Sequence, residues 1–149
     1  MALTQNEIIT PQAPGRGLVQ FHGTVDGTAT IKNLYVAGAT NGGTVGAKVY
    51  GITAINNGAT AHNVTLVINN SGGTILAQLN VVAAPANAGS NGTATPVAMM
   101  SAANAPGLPV DSNGNPYYFL NNGDTLSAEY ATAQGTADNL YLYCCAADF

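Results

Sequence analysis

Charge is what this chain has least of. Only 7% of its residues are Asp, Glu, Lys or Arg, against roughly a quarter in an average soluble protein. The basic inventory is Arg16, Lys32 and Lys48, set against seven acids for a net charge of −4. Proteins that bind nucleic acid neutralise phosphates with Lys and Arg, and three scattered cations do not supply that. The same balance argues against anionic membrane surfaces. Neither nucleic acid nor membrane is therefore expected as a partner. No apolar span approaches the roughly eighteen residues a transmembrane helix needs. The opening MALTQNEIITPQAPG has neither the basic nor the apolar region of a signal peptide, so folding in a cytoplasm is expected. Cysteine is scarce too. Cys144 and Cys145 are adjacent and on a strand point to opposite faces, where pairing them would need a strained ring. Two small buried thiols under reducing conditions are expected instead.

Catalytic patterns are also missing. There is no G-x-S-x-G elbow. GRGLVQ starts like a phosphate loop but lacks its third glycine, and DSNGNP at Asp111 has its glycine two places early for a calcium loop and no closing Glu. His22 and His62 lie in stretches that read as loops, with no Cys or acid at ligand spacing, so no metal site is expected. The acids do not pair. Asp124, in NNGD before a strand, reads as a turn cap that accepts backbone N–H bonds. Glu129 sits mid-strand, and an exposed strand face suits it best. Three matches to glycosylation sequons, at Asn63, Asn69 and Asn91, come cheaply in a chain so rich in Asn, Thr and Ser. An enzyme is not expected, nor any cofactor.

What is present is β-forming sequence. Eighteen glycines with abundant Ala, Asn and Thr suit disorder or a compact β protein with a neutral surface. Regular runs of β-branched and aromatic residues favour the second. The C-terminal quarter, Tyr117 to Phe149, holds five of the seven tyrosines, two of the three phenylalanines and both cysteines. Leu126, Ala128 and Tyr130 alternate with Ser127, Glu129 and Ala131, the period of two expected of a half-buried strand. Tyr141, Tyr143 and Cys145 alternate with Leu140, Leu142 and Cys144, so both faces of that last run can be covered, which predicts the centre of a sheet.

Earlier runs at Thr28–Val36, Val45–Asn56, Val64–Ile68 and Ile75–Val82 read as strands. Their spacing suits antiparallel neighbours, because no connection is long enough for a crossover helix. Asn-Gly occurs five times, at Asn41, Asn57, Asn91, Asn113 and Asn122, each between apolar runs. Both residues tolerate the positive φ of tight hairpin turns. Residues 93–103 read either as an edge strand, which tolerates Pro96, or as a short helix at VAMMSAA. The Pro/Gly-rich stretch 104–115 is long for a connector, and reads as a partner contact or a plain surface excursion.

Residues 1–24 differ. Pro11, Pro14, Gly15 and Gly17 break up regular structure, while Ile8, Ile9, Leu18, Val19 and Phe21 supply scattered apolar anchors. A frayed tail or an extended arm on a neighbouring subunit both fit, and the apolar anchors favour the arm. The expectation is an all-β chain, with residues 1–24 as the arm and 25–149 as a two-layer antiparallel β-sandwich of about eight strands, jelly-roll-like.

These features together, with LPVDSNGNPYYFLNNGDTLSAEY and a final aromatic strand ending in ADF, resemble the head decoration (cement) proteins of tailed bacteriophages. The motif-like part of the likeness covers residues 108–149. The resemblance implies a jelly-roll-like sandwich, often a homotrimer, on the outer capsid surface of the virion, clamping neighbouring major capsid subunits. On that reading Ile8, Ile9, Leu18 and Phe21 anchor the arm, Leu108 and Val110 lie at a capsid or subunit contact, and exposed tyrosines are interface anchors. A phage tail, neck or fibre component shares this vocabulary. A carbohydrate-binding sandwich is disfavoured by the absence of Trp, although Tyr can serve.

Overall fold

The computed structural model describes residues 13–22, 26, 30–38, 45–58, 61–70, 72–84, 96–101, 103–104, 106–130 and 139–149. Their regular elements are all strands: β1 (Ala13–His22), β2 (Ile31–Val36), β3 (Gly46–Asn56), β4 (His62–Asn69), β5 (Ile75–Ala84), β6 (Val97–Ala98), β7 (Tyr118–Asn121), β8 (Thr125–Tyr130) and β9 (Asn139–Asp148). They form two antiparallel sheets. One, sheet A, runs β1-β9-β3-β6, with β7 also on β3; the other, sheet B, runs β2-β8-β4-β5.

The pairing is nested. The first strand pairs with the last, β2 with β8, β3 with β7, and β4 with β5. A long hairpin rolled so that successive pairs alternate between two sheets is a jelly roll. The expected all-β, jelly-roll-like sandwich is therefore what the described residues form, with a two-residue β6 added to eight longer strands.

β9 is central in sheet A, between β1 and β3, as its sequence pattern predicts. Leu140, Leu142, Cys144 and Ala146 point into the core and are buried. The expectation that both faces are covered holds only in part: Tyr141 and Cys145 are half-buried, and Tyr143 is exposed. The same sheet adds Phe21 and Leu120, the facing sheet adds Leu66 and Leu126, and the turn after β6 adds Met99, all fully buried. Each such side chain contributes roughly 1.5–3 kcal/mol by leaving water.

Two bulges shape the sheets. Register shifts between Asn33 and Tyr35 on β2, so Leu34 and Tyr35 are both buried where strict alternation places them on opposite faces. On β3 the register shifts between Val49 and Gly51. Tyr50 is the extra residue and turns outward, 44% exposed.

β1 corrects the view that its prolines and glycines break up regular structure. Ten consecutive residues pair with β9, from Ala13 against Asp148 to His22 against Asn139. As an edge strand β1 tolerates Pro14. Gly17 is required by packing, since a Cβ there would overlap the carbonyl oxygen of Leu34. Lys32 then ties the two sheet edges together. Its Nζ donates to the carbonyl of Gln20 on β1 (2.7 Å) and to the Asp26 carboxylate (2.6 Å), and lies 5.4 Å from the centre of the Phe21 ring. Residues 1–12 of the expected arm lie outside the described residues.

Three further expectations are corrected. Of the consecutive strand pairs, only β4 and β5 are paired neighbours; the other short connections cross between sheets or step along β3. The Asn122-Gly123 turn does take the expected positive φ, 85° at Gly123, but it carries the chain from β7 in sheet A to β8 in sheet B. Asn113-Gly114 also turns at positive φ, within the 104–115 stretch. Gly58 instead donates its N–H to the Asn56 side chain (2.8 Å), and Asn41-Gly42 and Asn91-Gly92 lie outside the described residues. His62 is not in a loop; it opens β4 and is buried, and the backbone of His22 closes β1. Within 93–103, Val97–Ala98 is a short strand on the β3 edge, and the buried Met99 and Met100 follow in a turn, not a helix.

Candidate functional site

The outer face of sheet A is built from alternate residues of its strands. Opposite the buried Gly17, Val19 and Phe21 of β1 stand Arg16, Leu18 and Gln20, all exposed. Register brings Leu18 beside Tyr143 of β9, and Tyr143 beside Thr53 of β3. One row along, Arg16 meets Cys145, and toward the end of the strand Lys48 pairs with Phe119 of β7. Leu18 is 71% exposed, and Phe119 and Tyr143 are 44% and 42% exposed. Phe119 stacks on Phe149 with centroids 6.0 Å apart, which gives the face a second aromatic point.

Over β3 the 97–117 excursion folds against this face. The N–H of Met99 donates to the Ile52 carbonyl (2.9 Å). A bridge between Val110 and Pro116 closes its tip. Asp111 organises that tip, accepting the N–H groups of Asn113 and Asn115 at 2.9 Å each. The Asn115 bond is the largest influence holding the Asp111 carboxyl below the usual carboxylate range. Between β3 and the excursion lies an open groove of about 420 Å³, lined by Lys48, Tyr50, Thr53, Met100, Asp111 and Pro116, among others. Lys48 Nζ sits 4.4 Å from the centre of the Tyr117 ring, a cation–π contact.

This arrangement offers contact surface and hydrogen bonds. Asp111 spends its oxygens on its own loop, and no group of three or more His, Cys, Asp or Glu side chains converges among the described residues. Asp124 behaves as its sequence context predicts, accepting the Asn121 N–H at 2.9 Å. No helix among the described residues is long and apolar enough to cross a membrane.

The outer face of sheet B has different chemistry. Asn69 donates to Ser127 (3.0 Å) and Ser127 to Asn33 (3.1 Å), a polar chain across three strands. Glu129 lies on the same face, half-buried.

The residues singled out in the sequence are dispersed. Leu18 is exposed on β1, whereas Phe21, three residues on, is fully buried in its own core. Leu108 packs partly against that core, and Val110 is exposed at the excursion tip. Ile8 and Ile9 lie outside the described residues. Of the tyrosines, Tyr118 is buried and Tyr117 and Tyr141 are half-buried. Tyr143 and Tyr50 are exposed. Alternation with the buried Ala47 and Val49 already sets Tyr50 on the Lys48 face, and the bulge at Val49/Gly51 returns Ile52 to the core.

No protein-family model matches the sequence, and no curated protein matches it. Among solved structures, a chain of the cyanophage Pam1 capsid asymmetric unit is similar with a TM-score of 0.46 and 19% identity, over 91% of this chain and 83% of that one. A chain of infectious bursal disease virus, Gx strain, gives a TM-score of 0.35 at 11% identity, and this chain spans only 33% of its length. The Gt strain gives 0.31 at 14% identity, with 34% of that chain covered. The fold assignment rests on the strand pairing and not on these likenesses.

Proposed function

We propose that this chain is a structural virion protein that binds the outer surface of a phage capsid and cements neighbouring major capsid subunits. The observation that carries the reading is a jelly roll whose described residues present aromatic and aliphatic contact surface without a converging set of ionisable groups. A cement needs a body that does not deform and surface that adheres without long-range charge. Symmetry multiplies each contact, because a homotrimer touches several subunits at once. The resemblance of residues 108–149 to phage decoration proteins points the same way. Leu18 and Val110, both exposed, serve as contact residues on this reading, as do Ile8, Ile9 and Leu108. Phe21 holds β1 to its own subunit.

The test is sedimentation of the purified chain, alone and mixed with phage shells that lack it. A trimer that co-sediments with shells is expected. A monomer that stays in the supernatant overturns the proposal. Binding to isolated tails or necks instead identifies a tail component.

A further inference from the structure

The geometry points to the outer face of sheet A as the surface that docks on the capsid, and to an apolar protein surface bearing carboxylates as its partner. The inference rests on the proposed capsid role and adds the face and the chemistry that meets it.

Among the described residues, four of the seven exposed large hydrophobics, Leu18, Tyr50, Phe119 and Tyr143, lie on this one face. Aromatic side chains of this kind give much contact area with little conformational entropy to lose, and are enriched at interface hot spots. The face also carries a charge asymmetry. Its outward strand positions hold Arg16 and Lys48 and no acid among the described residues, whereas the chain as a whole carries −4. The third cation, Lys32, is engaged with Asp26. At the rim, Asp111 shares the groove with Lys48 and offsets part of its charge, so Arg16 is the cation this apolar face offers to a partner's carboxylate.

A second copy of this chain fits the face poorly. In a two-fold contact the patch meets itself, and no carboxylate at its described outward strand positions answers Arg16. The outer face of sheet B exposes Ile31 beside its internally satisfied Asn69–Ser127–Asn33 chain, but its described outward strand positions hold no aromatic side chain and no cation, and one acid, Glu129.

The experiment compares four full-length chains for binding to phage shells that lack the protein: unaltered, Leu18→Glu, Arg16→Glu, and Asn63→Glu as a control on sheet B. Asn63 is exposed. Binding by the unaltered chain is the separate test of the capsid role. Given that binding, Leu18→Glu and Arg16→Glu are expected to weaken it about tenfold or more each, a loss of at least about 1.4 kcal/mol. The control is expected to change it less than about twofold. All four are expected to melt within a few degrees of one another, because the altered residues are exposed. Unchanged binding by both sheet A variants overturns the inference and leaves the capsid role standing, as does a loss confined to Asn63→Glu. A change in self-association mass with Leu18→Glu, with shell binding retained, also overturns it by making this face a contact between copies.

Discussion

At the scale of single residues, the tightest constraints fall on positions without side chains. Gly17 faces the Leu34 carbonyl so closely that a methyl group has no room, whereas the nearest atom to a Cβ on Gly51 is the Cys145 Cβ at 3.7 Å. Gly17→Ala is expected to cost about 2–3 kcal/mol in urea denaturation, and Gly51→Ala less than about 1 kcal/mol. Buried ionisable groups set a second expectation. Burial is the largest cause raising the Tyr118 phenol from 10.0 to about 12 and the Cys144 thiol from 9.0 to about 12. Both raised values belong to the folded state, so their contribution is complete below the unfolded values and is lost as pH climbs to the folded ones. The contribution of these two groups to stability should be level below pH 9 and fall between pH 9 and 12. A melting temperature that rises across that window would contradict this assignment. From sequence, the role of Gly17 was invisible: glycine read as a breaker, and only the partner across the sandwich shows why nothing larger fits.

Among the elements, what could be read was the pattern within each strand, not the partner of each strand. Period-two alternation located β3, β8 and β9 within a few residues, because the two faces meet different environments. Partners escaped, because a short connection looks the same whether it closes a hairpin or crosses to the opposite sheet. The Asn122-Gly123 turn illustrates this: its φ was foreseeable from the residue types, its destination in sheet B was not. The bulges at Leu34 and Tyr50 were hidden for the same reason, since a slip in register is a property of the pair. β1 was misread because Pro and Gly were weighed without its position at an edge. Its status as a true strand has a direct consequence. Phe21→Ala is expected to destabilise by about 3–5 kcal/mol and Leu18→Ala by less than about 0.5 kcal/mol, measured by chemical unfolding. Equal, small effects would mean that Ala13–His22 lies on the body without belonging to it.

For the whole molecule, the sequence set its expectations mainly through what it lacks. Three cations and no convergent motif led to the expectation of no nucleic acid, membrane or catalysis, and the alternating strands foretold the sandwich that the described residues form. The candidate site was harder to see. Leu18 and Val110 were found as apolar residues in unusual places, but the aromatic face needs Tyr50, Phe119 and Tyr143 brought onto one side of sheet A by β3, β7 and β9. The central claim is that this slab of paired strands holds other proteins together. A cement binds the intact shell and not its dissociated subunits, so mass action must raise the shell's resistance to heat. The direct measurement is the temperature at which shells lacking this protein burst, recorded with and without saturating purified chain. The account predicts a burst temperature several degrees higher with the chain bound. Saturated binding with an unchanged burst temperature would contradict it.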